Sequence, residues 1–272
     1  MKKKPLMLTL SLLLGASQGV LAGEDLGAEQ RQMMADNPGS MWIDDGEDFW
    51  KKKRGPKNEN LEKCDLGLGA GVVDGAYAQL PRYFADTKKV ETLEGRLVTC
   101  MTTLQGFKEE DILMPHYKNM GEEDGTASEL AALTIYVASK SNGMPYRVKA
   151  IHPEEKRIYE LGKYTFYRRG ASMDLSCASC HSTPGQKLRG VDLPVMTDPK
   201  TAGHVMTAFP AYVLKDSNVR TWYWRNERCN LAMKFPWLKL GSELDAAMTM
   251  FQIIEASKTD QPIAVPGVKP RA

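Results

Sequence analysis

The sequence predicts a mainly α-helical protein made of two halves with one plan. Three observations carry that expectation. Apolar residues recur at helical spacing, as in Ile158, Leu161, Thr165 and Phe166 and again in Leu244, Met248, Phe251 and Ile254. Pro81, Tyr83, Val90, Arg96 and Cys100 return as Pro210, Tyr212, Val219, Arg225 and Cys229, all at one offset of 129 residues. A glycine followed four residues later by an aromatic ring lies early in each half, Gly46 with Trp50 and Gly162 with Phe166.

Along the chain, Lys2, Lys3 and Lys4 precede an apolar run from Pro5 to Ala16, and Val20-Leu21-Ala22 suits cleavage before Gly23. Residues 1–22 are therefore expected to be a cleaved Sec-type signal peptide, too short for a spanning helix. No later apolar run is long enough to cross a bilayer, so an exported protein without a membrane span is expected. Loss of the three lysines turns the formal charge from +2 to −1. Nothing in that balance resembles a basic footprint for nucleic acid.

The first half is placed at residues 23–145 and the second at 146–272, joined near 142–153. In the first half, Thr126-x-x-Glu129 reads as a capping box for a helix, with Gly143 past its end. Ser128-Glu129-Leu130 and Ser242-Glu243-Leu244 open corresponding helices. In the second half, Pro153 after His152 suits a helix start.

The chemistry concentrates in Cys177-Ala178-Ser179-Cys180-His181. C-x-x-C-H is the attachment signature of c-type heme. Two thiols at that spacing reach the two vinyl groups, and the adjoining imidazole lies under the iron as proximal ligand. A zinc site would need further ligands nearby, and the chain has only four histidines. The second half therefore reads as a heme-binding cytochrome c-like domain. The first half reads as a degenerate copy without heme. Its motif would begin at Cys64, but Gly67 and Leu68 stand where Cys180 and His181 would fall. One covalent heme c per chain is expected, and Cys64 and Cys100 are left as the expected disulfide.

Cys229 is the unpaired fifth cysteine. Arg225 precedes it by four residues, on the same face if the segment is helical. A guanidinium there would favour a thiolate and could hold an anion beside it. Cys229 is thus a candidate distal ligand of the iron, in competition with Met206, Met233 and His204. Arg228 and Lys234 read as solvated surface.

These features together resemble the SoxA subunits of the SoxAX cytochromes. The residues carrying the resemblance are the Cys64-Asp-Leu-Gly segment, Leu80-Pro-Arg-Tyr-Phe-Ala-Asp86, Arg96 to Cys100, the Cys177–His181 motif and Arg225-Asn-Glu-Arg-Cys229. The resemblance implies the single-heme form, with Cys64 and Cys100 paired and heme attached through Cys177 and Cys180. It implies His181 and Cys229 as axial ligands, a persulfide sulfur on Cys229 and thiosulfate held by Arg225. It also implies a SoxX cytochrome as heterodimer partner, the SoxYZ carrier as sulfur acceptor, a periplasmic location and L-cysteine S-thiosulfotransfer. The residues by themselves leave two other readings open: a plain electron-transfer cytochrome c, and a sulfur-handling scaffold with a structural heme.

Overall fold

The computed structural model describes residues 37–120, 128–188 and 190–269. The signal-peptide reading of residues 1–22 and the capping reading of Thr126 lie outside them. In chain order the elements are α1 (Met41–Lys51), β1 (Arg82–Phe84), β2 (Lys89–Glu91), α2 (Leu93–Cys100), α3 (Glu109–Asn119) and α4 (Glu129–Ser139). They continue with α5 (Pro153–Tyr167), α6 (Cys177–His181), β3 (Lys187–Leu188), β4 (Val191–Asp192) and α7 (Pro199–Met206). The chain ends with β5 (Ala211–Val213), β6 (Asn218–Arg220), α8 (Trp222–Ala232), α9 (Glu243–Ala256) and β7 (Gly267–Lys269). The protein is mainly helical, as expected, with short antiparallel hairpins between the helices. β7 adds a parallel strand to β5, which no pattern in the sequence announced. Among the described residues no helix is long and apolar enough to cross a membrane.

Two helix crossings organise the core, and each is built on a glycine. α1 crosses α4 at Gly46, where a Cβ would overlap the Ala132 carbonyl and Tyr136. One turn on, Trp50 packs against the Tyr136 ring at 6.1 Å. α5 crosses α9 at Gly162, where a Cβ would overlap the Ala247 carbonyl, and Phe166 meets Phe251 at 5.0 Å. The missing side chain lets two backbones approach, and the aromatic four residues later fills the space one turn along the same face.

The helix ends follow from local chemistry. His152 caps α5, Pro153 takes its first position, and the Glu155 carboxylate accepts from the His152 N–H. Ser128 Oγ caps α4 by accepting from Ala131 N, and Ser242 caps α9 by accepting from Asp245 N. Gly143 follows α4 with φ +83°, as expected beyond a helix end. Leu244 departs from the expected apolar stripe: it is exposed, whereas Met248 and Phe251 are buried. It sits in the first turn of α9, beyond the crossing, where the Arg157–Glu243 ion pair closes the surface.

The two stretches related by the 129-residue offset have the same local structure. Each is a hairpin followed by a helix, β1–β2–α2 and β5–β6–α8, with Tyr83 opposite Val90 and Tyr212 opposite Val219. Thr92 caps α2 and Thr221 caps α8, each immediately before the first residue of its helix. The hairpins are exchanged between the halves. Tyr83 stacks on His152 at 3.8 Å, and its N–H donates to Glu155. Tyr212 and Val219 pack with Trp42, Ala132 and Ile135. Further bonds cross in both directions, from Tyr77 Oη to the Phe209 carbonyl and from Trp224 Nε1 to the Met120 carbonyl. Two apolar clusters, the larger of them the main core, therefore each draw residues from both halves.

Cys64 and Cys100 form a disulfide, with Cα atoms 5.6 Å apart. It closes a 36-residue interval. Opening it by Cys64→Ser with Cys100→Ser is expected to destabilise the fold by about 4 kcal/mol on chain-entropy grounds, read as a lower urea midpoint.

The interface between the halves also buries acids. Burial pushes the Glu94 carboxyl from its ordinary 4.5 up to about 8, and that of Asp245 up to about 7. A carboxyl whose pKa is raised by folding favours the native state while neutral. Its contribution is full below the unfolded pKa and is lost as pH rises through the folded one. Stability should therefore fall between about pH 4.5 and pH 8. Glu94→Gln should match the parent at about pH 4 and exceed it at about pH 8.5 in urea midpoint. Equal midpoints at both pH values would show that Glu94 does not control this slope.

Candidate functional site

The site is assembled from α6, α8 and the loop between α6 and α7. Ser176 caps the short α6 by accepting from Ser179 N, while Ser179 Oγ accepts from Ser176 N. This reciprocal bond fixes the turn that carries Cys177, Cys180 and His181. His181 Nδ1 lies 2.8 Å from the Pro194 carbonyl, and the His181 carbonyl accepts from Met196 N. Nδ1–H donation to a carbonyl fixes the tautomer and leaves Nε2 available as a ligand. Burial lowers the imidazole pKa, which favours the neutral, ligating form. Pro194 is a neighbour of the candidate site that the sequence did not disclose, because the loop that brings it back to His181 has no motif of its own.

Cys177, Cys180 and Cys229 are free and half-buried. Cys229 projects from α8 within electrostatic reach of both attachment cysteines. Burial pushes the Cys177 thiol up to about 12, with Cys229 adding to the shift. Arg225 and Arg228 do draw the Cys229 pKa down, but burial outweighs them and the net direction is up. Loss of hydration exceeds the field of two partly solvated guanidinium groups. Of the competing distal ligands, His204 is exposed on α7, and Met206 is fully buried. Met233 is half-buried at the C-terminal end of α8.

Arg225 and Cys229 lie one turn apart on α8, as the four-residue spacing requires. Arg96, at the matching position of α2, has different surroundings. It is buried and neutralised by Asp86 at 2.9 Å and Glu91 at 3.2 Å, and it donates to the Asp65 carbonyl. At the same offset the second half has Lys215 and Arg220 in place of those two acids. Arg225 is half-buried and makes no side-chain hydrogen bond or ion pair among the described residues. A guanidinium placed there without an acid suits an incoming anion. Glu227, between the two arginines, turns the other way, and its Oε1 accepts from Leu238 N and Asn230 Nδ2. It ties down the loop that follows Cys229. Arg228 and Lys234 are exposed, as expected of surface residues.

The donor set fits a covalently held heme: two free thiols at attachment spacing, an imidazole with its outer nitrogen anchored, and a third sulfur from a separate helix. Among the described residues no group of three or more His, Cys, Asp or Glu is placed to hold a bare metal ion. The matching region of the first half is closed differently. Asp65 Oδ1 accepts from Gly67 N and Gly69 N in a tight turn, and Leu61, Leu66 and the disulfide fill the interior.

Fold and site together define a cytochrome c-type heme protein. Residues 45–146 match the family described as SoxA/TsdA, cytochrome c domain. The L-cysteine S-thiosulfotransferase subunit SoxA of Hydrogenophilus thermoluteolus is 37% identical over 242 residues, which cover 89% of this chain and 86% of that one. A protein of the same name from Hydrogenobacter thermophilus is 32% identical, over 78% of this chain and 79% of its own. The chain belongs to the SoxA family. Its fold is similar to that in the crystal structure of SoxXA from P. pantotrophus, with a TM-score of 0.68 and 23% identity over 90% of this chain and 84% of that one.

Proposed function

We propose that the chain is the catalytic subunit of an L-cysteine S-thiosulfotransferase, which joins thiosulfate oxidatively to the SoxY cysteine of the SoxYZ carrier. The observation that carries this reading is the convergence of Arg225 and Cys229, from one face of α8, on the Cys177–His181 motif. In this reading Cys177 and Cys180 would hold one heme c in the second half, and His181 and Cys229 would ligate its iron. The first half is a duplicated copy that has lost its heme and kept a disulfide. The protein is exported to the periplasm after removal of residues 1–22 and pairs with a SoxX cytochrome.

In the reaction, thiosulfate and the carrier thiol form a sulfur–sulfur bond, releasing one proton and two electrons. When bound, the heme supplies a one-electron acceptor from which electrons leave towards the partner cytochrome. Arg225 holds the dianion by charge-assisted hydrogen bonds. Cys229 carries the sulfur intermediate as a persulfide, which splits one difficult step into two. His181, fixed by Pro194, keeps its ligating nitrogen aimed away from that carbonyl.

The direct test is thiosulfate-dependent modification of the carrier cysteine, followed by mass. Electron transfer without that adduct would reject the transferase reading in favour of a plain cytochrome. Heme content gives a second check. One C-x-x-C-H motif predicts one covalent heme per chain, measured by pyridine hemochrome against protein mass. Two hemes on the isolated chain would overturn the heme-free reading of the first half.

A further inference from the structure

The two halves hold their cysteines in matching places. Cys100 lies on α2, whose N-cap is Thr92, and Cys229 lies at the same distance past Thr221, the N-cap of α8. The opposite cysteine also follows a matching loop in each half. The Arg54–Glu59 bridge begins four residues after Trp50 and leads to Cys64. The Gly170–Leu175 bridge begins four residues after Phe166 and leads to Cys177. In the first half this arrangement ends in the Cys64–Cys100 disulfide. In the second half it leaves Cys177 and Cys229 as free, half-buried thiols within electrostatic reach of one another.

We propose that, before heme attachment, Cys177 and Cys229 form a disulfide equivalent to Cys64–Cys100, so that the attachment cysteine and the reactive cysteine protect one another. The inference rests on the reading that heme is later bonded to Cys177. It assigns a redox modification to the precursor. The oxidant is a disulfide of low molecular weight or of a protein. Two successive exchanges form the Cys177–Cys229 bond and break the oxidant's bond, and the two thiol protons and two electrons pass to its leaving thiols. Heme attachment then requires reduction of that bridge by a dithiol, which gives up two electrons and two protons to free both thiols and itself becomes a disulfide. Once the thioether forms at Cys177, Cys229 has lost its natural disulfide partner and stays available for sulfur chemistry. Cys180 has no counterpart in the first half, because Gly67 stands in its place, so it remains the odd thiol of the precursor.

The test uses the full chain produced without heme attachment and equilibrated with oxidised and reduced glutathione, alongside the heme-loaded protein. Free thiols are alkylated, and disulfides are mapped by non-reducing peptide mass analysis. The expected precursor has bridges at Cys64–Cys100 and Cys177–Cys229, with the alkyl label on Cys180 alone. The heme-loaded protein should show no Cys177–Cys229 peptide. Precursor oxidised in denaturant should scramble among partners, which controls for folding. A Cys180→Ser precursor should still form the Cys177–Cys229 bridge. A Cys177–Cys180 bridge in the folded precursor, or label on all three cysteines, would overturn the proposal. Failure of the chain to acquire heme when produced together with a heme-attachment system would instead reject the functional reading, whatever bridges the precursor forms.

Discussion

Replacing Cys229 with methionine is expected to leave the heme covalently attached while abolishing sulfur transfer to the carrier. In the proposed reading attachment uses Cys177 and Cys180, which lie on α6, whereas Cys229 comes from α8. A thioether can ligate iron but cannot carry a persulfide. Removal of the covalent carrier should therefore cost on the order of 10⁴-fold or more in turnover, the scale seen when a nucleophile is deleted. Pyridine hemochrome checks the attached heme, and the mass of the carrier cysteine reads transfer. Full transfer by Cys229→Met would reject the persulfide mechanism.

Arg225→Ala is expected to separate substrate binding from ligation. Its guanidinium has no acidic partner among the described residues, unlike Arg96, so truncation should leave no carboxylate unpaired. The lost charge-assisted contacts correspond to about 1.5–3 kcal/mol, or roughly 10–10²-fold in kcat/KM for thiosulfate. The heme spectrum should stay largely unchanged. Arg225→Lys should recover only part of the loss, because a point charge replaces a planar fork. An unchanged kcat/KM in Arg225→Ala would remove this residue from the substrate site.

The heme-attachment motif was legible because covalent chemistry sets its spacing locally: two vinyl groups and one iron fix C-x-x-C-H whatever the fold around it. The repeated hairpin and helix were legible for a related reason. Pro, Tyr, Val, Arg and Cys serve local roles at fixed intervals, and the 129-residue offset survives even though the acids beside Arg96 do not. The glycine crossings were readable as a pattern, but not their partners. Only the structure shows Gly46 under Ala132 and Gly162 under Ala247, since the close approach involves backbone far away in the chain.

The sequence by itself determined the helical class, the C-x-x-C-H motif, the candidates Arg225 and Cys229, and the expectation that Cys64 and Cys100 pair. Tertiary structure decided what depends on distance and dielectric. It placed Pro194 behind His181, exchanged the hairpins between the halves and added β7 beside β5. It also set burial against the two arginines at the Cys229 thiol, because a neighbouring arginine is visible in sequence whereas burial is not. Local covalent and capping chemistry is written in consecutive residues; desolvation and long-range packing arise only when separate segments exclude water together.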